Sequence, residues 1–270
     1  MHALSMTSLQ AARLRDIPFF FTPLHHPRWT GWLYRQYHRI YREADGIIAL
    51  TQAEKQILME LGVEECRIIV TGMGPILAEF GDGKAFRQKY KLENDPLVLF
   101  LGQKFEYKGV AALLDAALHV WQRFPETRFV FIGPRTDYST KLFSDVKDRR
   151  IIEMDRVSLQ EKTDALSACS LLCVPSTQES FGGVYTEAWS FGKPVIGCSI
   201  PAVSELIADG VDGCLVAQQP AEIADRILTL ISEPSLAHAM GVAGKQKVDE
   251  RFNWRQLSTL TEHAYHDVLS

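Results

Sequence analysis

Two glutamates, Glu179 and Glu187, stand eight residues apart with Phe181-Gly182-Gly183 between them. The apolar run Leu171-Leu172-Cys173-Val174-Pro175-Ser176 comes before them. A short helical pattern follows and closes at Phe191-Gly192-Lys193-Pro194. A strand that turns through glycines into a helix points bare backbone N–H groups outward. It also sets a positive helix end at one spot, which suits a phosphate. In this reading Glu179 lies in the turn and Glu187 in the first turns of the helix. Carboxylates accept hydrogen bonds from sugar hydroxyls, so the layout suits a ligand with phosphate in the middle and sugars at both ends. A nucleotide sugar has that form.

The run resembles the Glu-x7-Glu signature of retaining glycosyltransferases, family 4 in particular, within the glycosyl transferases group 1. Other segments extend the resemblance in the same order along the chain. Ala44-Asp45-Gly46-Ile47-Ile48-Ala49-Leu50-Thr51 looks like the family's mid-chain strand. Gly102-Gln103-Lys104-Phe105-Glu106-Tyr107-Lys108-Gly109 looks like its Gly-Arg-x4-Lys-Gly loop. Gly192-Lys193-Pro194-Val195-Ile196-Gly197, Glu205-Leu206-Ile207 and Gly210-Val211-Asp212-Gly213 match its downstream pattern.

The resemblance implies an α/β, GT-B-like fold with two Rossmann-like parallel-sheet domains, the N-terminal one truncated and the C-terminal one complete. It implies a retaining, hexosyltransferase-type enzyme with a UDP- or GDP-linked sugar donor and a saccharide or lipid-linked acceptor, working in cell-envelope polysaccharide biosynthesis. By the family pattern Glu187 holds the ribose hydroxyls and Glu179 lies near the transferred sugar. Backbone N–H groups at Phe181, Gly182 and Gly183 hold sugar or phosphate, and the backbone around Val157 meets the base. His26 resembles the histidine at the end of an early strand, beside the reacting sugar, where a neutral imidazole hydrogen-bonds sugar or acceptor.

The leaving diphosphate gains negative charge in the transition state, and preorganised positive groups lower that barrier. The sequence contains no Asp-x-Asp pair to hold a metal. No metal or cofactor is therefore expected, and the positive charge falls to Lys108, next to Gly109 and a helix start. Gln103 stands where the family has arginine, which loses a charge and a bidentate fork. Lys104 is the expected compensation. That departure supports a rival reading, a non-catalytic nucleotide-sugar-binding fragment or partner subunit. A dinucleotide-dependent oxidoreductase is disfavoured, because no Gly-x-Gly-x-x-Gly follows a strand.

Composition sets the outer bounds. The 270 residues have a net charge of −4, which disfavours a nucleic-acid partner. No apolar stretch reaches membrane-spanning length and no secretory leader is evident. Five scattered cysteines lack zinc-ligand spacing and read as free thiols. The expected location is cytoplasmic. An aromatic and basic stretch, Arg28 to Arg42, is a candidate for peripheral contact with the inner membrane face. Within it Leu33, Tyr37, Ile40, Tyr41 and Ala44 read as the core-facing side of an amphipathic helix, which leaves the exposed remainder for surface or acceptor contact.

Strand-like runs alternate with helical patterns, the order of parallel sheets with crossover helices. Strands are expected at 17–22, 46–50, 67–70, 97–101, 128–132, 151–152, 171–174, 195–196 and 214–216. Helices are expected at 30–44, 52–61, 110–124, 158–168, 221–231, 235–252 and 254–269. The breaker-rich stretch 76–95 separates two domains. The expected division is 1–80 as a partial acceptor-side domain, 81–94 as linker and 95–252 as the nucleotide-sugar-binding domain. Residues 253–270 form a helix packing back toward the first domain. An incomplete first domain predicts open strand edges and self-association.

Overall fold

The computed structural model describes residues 3–25 and 35–269. His26 and the first half of the aromatic and basic stretch fall outside them. In chain order the first elements are α1 (Ala3–Leu14), β1 (Phe20–Phe21), α2 (Arg35–Glu43), β2 (Gly46–Ala49), α3 (Gln52–Glu60) and β3 (Ile68–Val70). Next come α4 (Gly83–Tyr90), β4 (Leu97–Leu101), α5 (Val110–Val120), β5 (Arg128–Ile132), α6 (Asp137–Ser144), β6 (Ile151–Met154) and α7 (Leu159–Ala168). The rest are β7 (Leu171–Val174), α8 (Gly183–Trp189), β8 (Val195–Cys198), α9 (Pro201–Leu206), β9 (Gly213–Val216), α10 (Pro220–Ser232), α11 (Pro234–Arg251) and α12 (Trp254–Leu269). No helix among the described residues is long and apolar enough to cross a membrane.

These elements form two compact units. One comprises Met1–Met73, Glu179–Phe181 and Arg251–Ser270; the other comprises Gly74–Gln178 and Gly182–Glu250. In the first unit β1, β2 and β3 form a parallel sheet with β2 in the centre. Tyr37, Ile40, Tyr41 and Ala44 are buried, as their helical spacing predicts, and join Leu9, Ile47, Ala49, Leu58 and Ile68 in one core. Leu33, the fifth expected position, lies outside the described residues.

The first strand is shorter than the expected 17–22, and Ile17 is exposed. Phe20 packs where a side chain on Gly46 would stand, and meets Tyr265 of α12 edge-on at 4.5 Å. Asp45 accepts from the Phe19 N–H at 2.7 Å and pairs with Arg13 of α1 at 2.9 Å. The buried Glu54 carboxylate accepts from the N–H groups of His25 (2.5 Å) and Leu50 (2.7 Å). It thereby joins the loop after β1 to the loop after β2.

The second unit holds a six-stranded, all-parallel sheet in the order β6-β5-β4-β7-β8-β9. Numbered within the sheet this is 3-2-1-4-5-6, the doubly wound order. The residues of β4, β7 and β8 are all buried, which explains why their sequences are continuous apolar runs. Four of the five cysteines are buried free thiols, while Cys66 is exposed. Burial pushes the Cys169 thiol up to about 11.

Three helices that the strand and helix patterns did not reveal complete this unit. Asp82 caps α4 through the Ala85 N–H at 2.9 Å, inside the stretch read as breaker-rich, and Phe86 supplies its buried contact. A capping box between Thr136 and Ser139 starts α6. Proline at its first position starts α9.

One buried ion pair ties the far side of the sheet together. Asp212 is almost fully buried, accepts from the Ala208 N–H at 2.9 Å and pairs with Lys247 of α11. Its carbonyl accepts from the Trp189 indole at 2.7 Å. Removing one partner of such a pair strands the other. Asp212→Ala is therefore expected to lower unfolding stability by about 3 kcal/mol, read from urea denaturation. A midpoint equal to wild type would contradict this account.

Candidate functional site

In a doubly wound sheet the crossovers leaving the two strands at the reversal point run to opposite faces, opening a crevice at their carboxyl ends. Here those strands are β4 and β7. The loop after β4 begins at Gly102, with φ +146°, and ends at Gly109, with φ +77°. A side chain on Gly109 would strike the Pro175 carbonyl, so the loop after β4 lies directly on the loop after β7. Thr177 N–H donates to the Tyr107 carbonyl at 2.9 Å. The Gln218 amide donates to Tyr107 O at 3.0 Å and to Pro175 O at 2.7 Å. Loops after three strands are thus pinned together.

Within this loop Lys108 closes a short 3-10 turn, and its ammonium sits 5.5 Å from the Tyr107 ring centre. Gln103 is exposed. Lys104 does not stand in for the missing arginine. It is fully buried, its ammonium donates to Gly133 O at 2.5 Å and Met154 O at 2.7 Å, and it pairs with Glu153 of β6. Its charge is spent on binding the ends of β4, β5 and β6 to one another.

Those same strand ends frame a cavity of about 370 Å³. Its walls include Gly102, Gly133, Pro134, Arg156, Val157, Leu159, Lys162, Val184 and Glu187. A side chain on Gly133 would collide with the Gly102 carbonyl, whereas one on Gly102 would meet nothing within 4 Å. Glycine at both positions lets the strand ends close on each other and leaves the space in front empty.

Gly182, with φ +90°, caps α8, and Gly183 is its first residue. The Tyr185 hydroxyl donates to Val174 O at 2.8 Å and locks this helix to β7. Glu187 follows in the second turn with its side chain 8% exposed. Its Oε1 accepts from Lys162 at 2.7 Å, and its Oε2 is buried with no hydrogen-bond partner. Burial raises the Glu187 pKa above its ordinary value, and the Lys162 hydrogen bond and charge and the backbone N–H of Ile76 oppose that shift.

The structure brings two of the expected residues, Glu187 and Val157, into this one cavity. Gln103, Lys108, Gly182 and Gly183 belong to the same unit but are not in its lining. Glu179 and Phe181 group with the first unit. There the Ser180 hydroxyl donates to His25 O at 3.2 Å, and Phe181 meets Phe252 edge-on at 5.5 Å. His26 lies outside the described residues; its neighbour His25 is buried against Tyr41. Sequence reasoning missed Lys162. Its one trace there is its place a turn beyond the Ser158 cap, on the helix that follows Val157.

Two parallel sheets, one doubly wound with a cavity at its carboxyl edge, define an α/β protein of the GT-B kind. The chain belongs to the glycosyl transferases group 1 family, whose profile matches residues 82–247. It is 29% identical over 247 residues to a D-inositol 3-phosphate glycosyltransferase of Kribbella flavida, covering 84% of this chain and 57% of that protein. It is 26% identical over 214 residues to an alpha-maltose-1-phosphate synthase of Mycobacterium tuberculosis, covering 72% of this chain and 51% of that protein. The chain spans about half the length of the curated relatives it matches. Among solved structures, HepE of Anabaena in complex with UDP and glucose superposes with a TM-score of 0.86 at 21% identity, covering 98% of this chain and 75% of that one. Sucrose-phosphate synthase from Thermosynechococcus elongatus gives 0.80 at 18% identity, covering 98% and 72%.

Proposed function

We propose that this chain acts as a retaining, metal-independent glycosyltransferase that moves a sugar from a UDP- or GDP-linked donor to a saccharide or lipid-linked acceptor. The observation that carries the reading is the free Oε2 of Glu187. A buried acceptor without a protein partner, in the wall of a cavity at the strand ends, is placed to take a donor from a ligand. A ribose hydroxyl supplies one. Family membership supports the nucleotide-sugar reading, and HepE has been solved with UDP-glucose.

In this proposal Val157 contributes backbone contacts to the base. Gln103, Lys108 and the N–H groups of Phe181, Gly182 and Gly183 hold the diphosphate and sugar. Glu179 and His26 serve the transferred sugar and the acceptor. The bond from the anomeric carbon to the diphosphate oxygen breaks while the acceptor oxygen attacks from the same face. The leaving phosphate takes the acceptor's proton, and Lys108 stabilises the charge left on the diphosphate.

Gln103 favours a second reading, a nucleotide-sugar-binding subunit without turnover, because the diphosphate loses one cation of its clamp. Direct assay of sugar transfer separates the two. Glu187→Ala is expected to weaken nucleotide binding by about 1.5–3 kcal/mol, the range for a lost charged hydrogen bond. Calorimetry against UDP, GDP and ADP checks this, and unchanged affinity for all three would remove Glu187 from the site. Lys108→Ala should reduce kcat more than it weakens binding, because the charge it meets develops in the transition state; equal losses would make it a binding residue only. Transfer should persist in EDTA. Activity abolished by EDTA and restored by manganese would end the metal-independent proposal.

A further inference from the structure

Glu187 is held in the cavity wall by a second residue. Lys162, the fourth residue of α7, lines the same cavity with its side chain 22% exposed. Its ammonium donates to Glu187 Oε1 and to the Ile76 carbonyl, each at 2.7 Å. It thus brackets α8 to the segment before α4 and occupies one carboxylate oxygen while the other stays open. We propose that Lys162 is a positioning residue of this site: it pairs with Glu187 and fixes its carboxylate so that Oε2 is presented to a ligand hydroxyl. The proposal rests on the reading that the cavity takes a nucleotide.

Lys162 shares this task with the backbone N–H of Ile76, and no other charged group acts on Glu187. Arg156, from the segment between β6 and α7, also lines the cavity, but Lys162 is the charged group that acts on Glu187. The strand ends contribute Leu101, Gly102, Ile132, Gly133 and Pro134, and α8 contributes Val184, none of which titrates. Ile76 offers backbone only. Burial already favours the protonated form of Glu187. Without Lys162 the carboxyl would take up its proton at higher pH still, and a neutral acid is a weaker acceptor than a carboxylate.

The test is calorimetric titration with UDP across a pH range spanning neutrality, for wild type, Lys162→Met, Lys162→Arg and Glu187→Gln. The ligand's own phosphate titration is common to all four and cancels in ratios to wild type. Lys162→Met is expected to bind about tenfold more weakly near neutrality, the scale of one charge-assisted hydrogen bond. The loss should shrink as pH rises. Lys162→Arg should follow the wild-type profile, and adding Lys162→Met to Glu187→Gln should introduce no new pH dependence. Infrared difference spectra of the ligand-free protein, assigned with Glu187→Gln, should show the Glu187 carboxylate band of Lys162→Met titrating at higher pH. Should Lys162→Met fail to fold, Lys162→Gln takes its place, with the same expectations. A loss of affinity that is the same at every pH, or no loss, would overturn the positioning role while leaving the nucleotide site intact. A wild-type chain that binds none of UDP, GDP and ADP would overturn both.

Discussion

In the second unit the strand order reverses between β4 and β7, so the chain leaves these strands toward opposite faces of the sheet. No crossover covers the gap at their carboxyl ends. That constraint decides where ligand chemistry can sit, and everything else at the edge serves to hold the gap in shape. Gly102 and Gly133 bring the ends of β4 and β5 into close approach. Gln218 and Thr177 fasten the surrounding loops through the carbonyls of Tyr107 and Pro175.

Charge at this edge is divided between frame and cavity. Lys104 is buried, and desolvation lowers its pKa while Glu153 opposes the shift. Burying an ammonium costs several kcal/mol unless its hydrogen bonds are all made, and its three acceptors meet that need. A cation so engaged is not available to a phosphate. Lys108, half-buried, and Lys162, with its side chain 22% exposed, differ in that both keep contact with solvent.

The strands were legible because a parallel sheet covered on both faces demands unbroken apolar runs, and Leu97–Leu101 or Leu171–Val174 admit no other use. The face of α2 was legible from its spacing. The helices α1, α4, α6 and α9 were not; the last three are eight residues or fewer and depend on a cap or a proline rather than on periodicity. At the site, glycines and a carboxylate pair drew attention to the Glu179–Glu187 run. Sequence spacing does not show where a side chain points, so Lys104 looked able to compensate for Gln103, although it is buried under the strand ends. Lys162 was invisible because its partner lies 25 residues away, and no local pattern links a lysine on α7 to a glutamate on α8.

Two buried glutamates show how differently the fold can treat a carboxylate it has desolvated. Glu54 and Glu187 both lie on helices, both are nearly inaccessible, and burial raises the pKa of both. Glu54 has a backbone donor on each oxygen, His25 N–H on Oε1 and Leu50 N–H on Oε2. Its hydrogen-bonding needs are met by the fold, and its effect is to hold two loops together. Glu187 has a lysine on Oε1 and an unmatched Oε2 facing the same desolvation cost. An unmatched buried acceptor costs about 1–3 kcal/mol, so the fold gains nothing from leaving this oxygen without a protein donor. Burial and pKa direction rank the two alike; an oxygen without a protein donor in a cavity wall distinguishes Glu187.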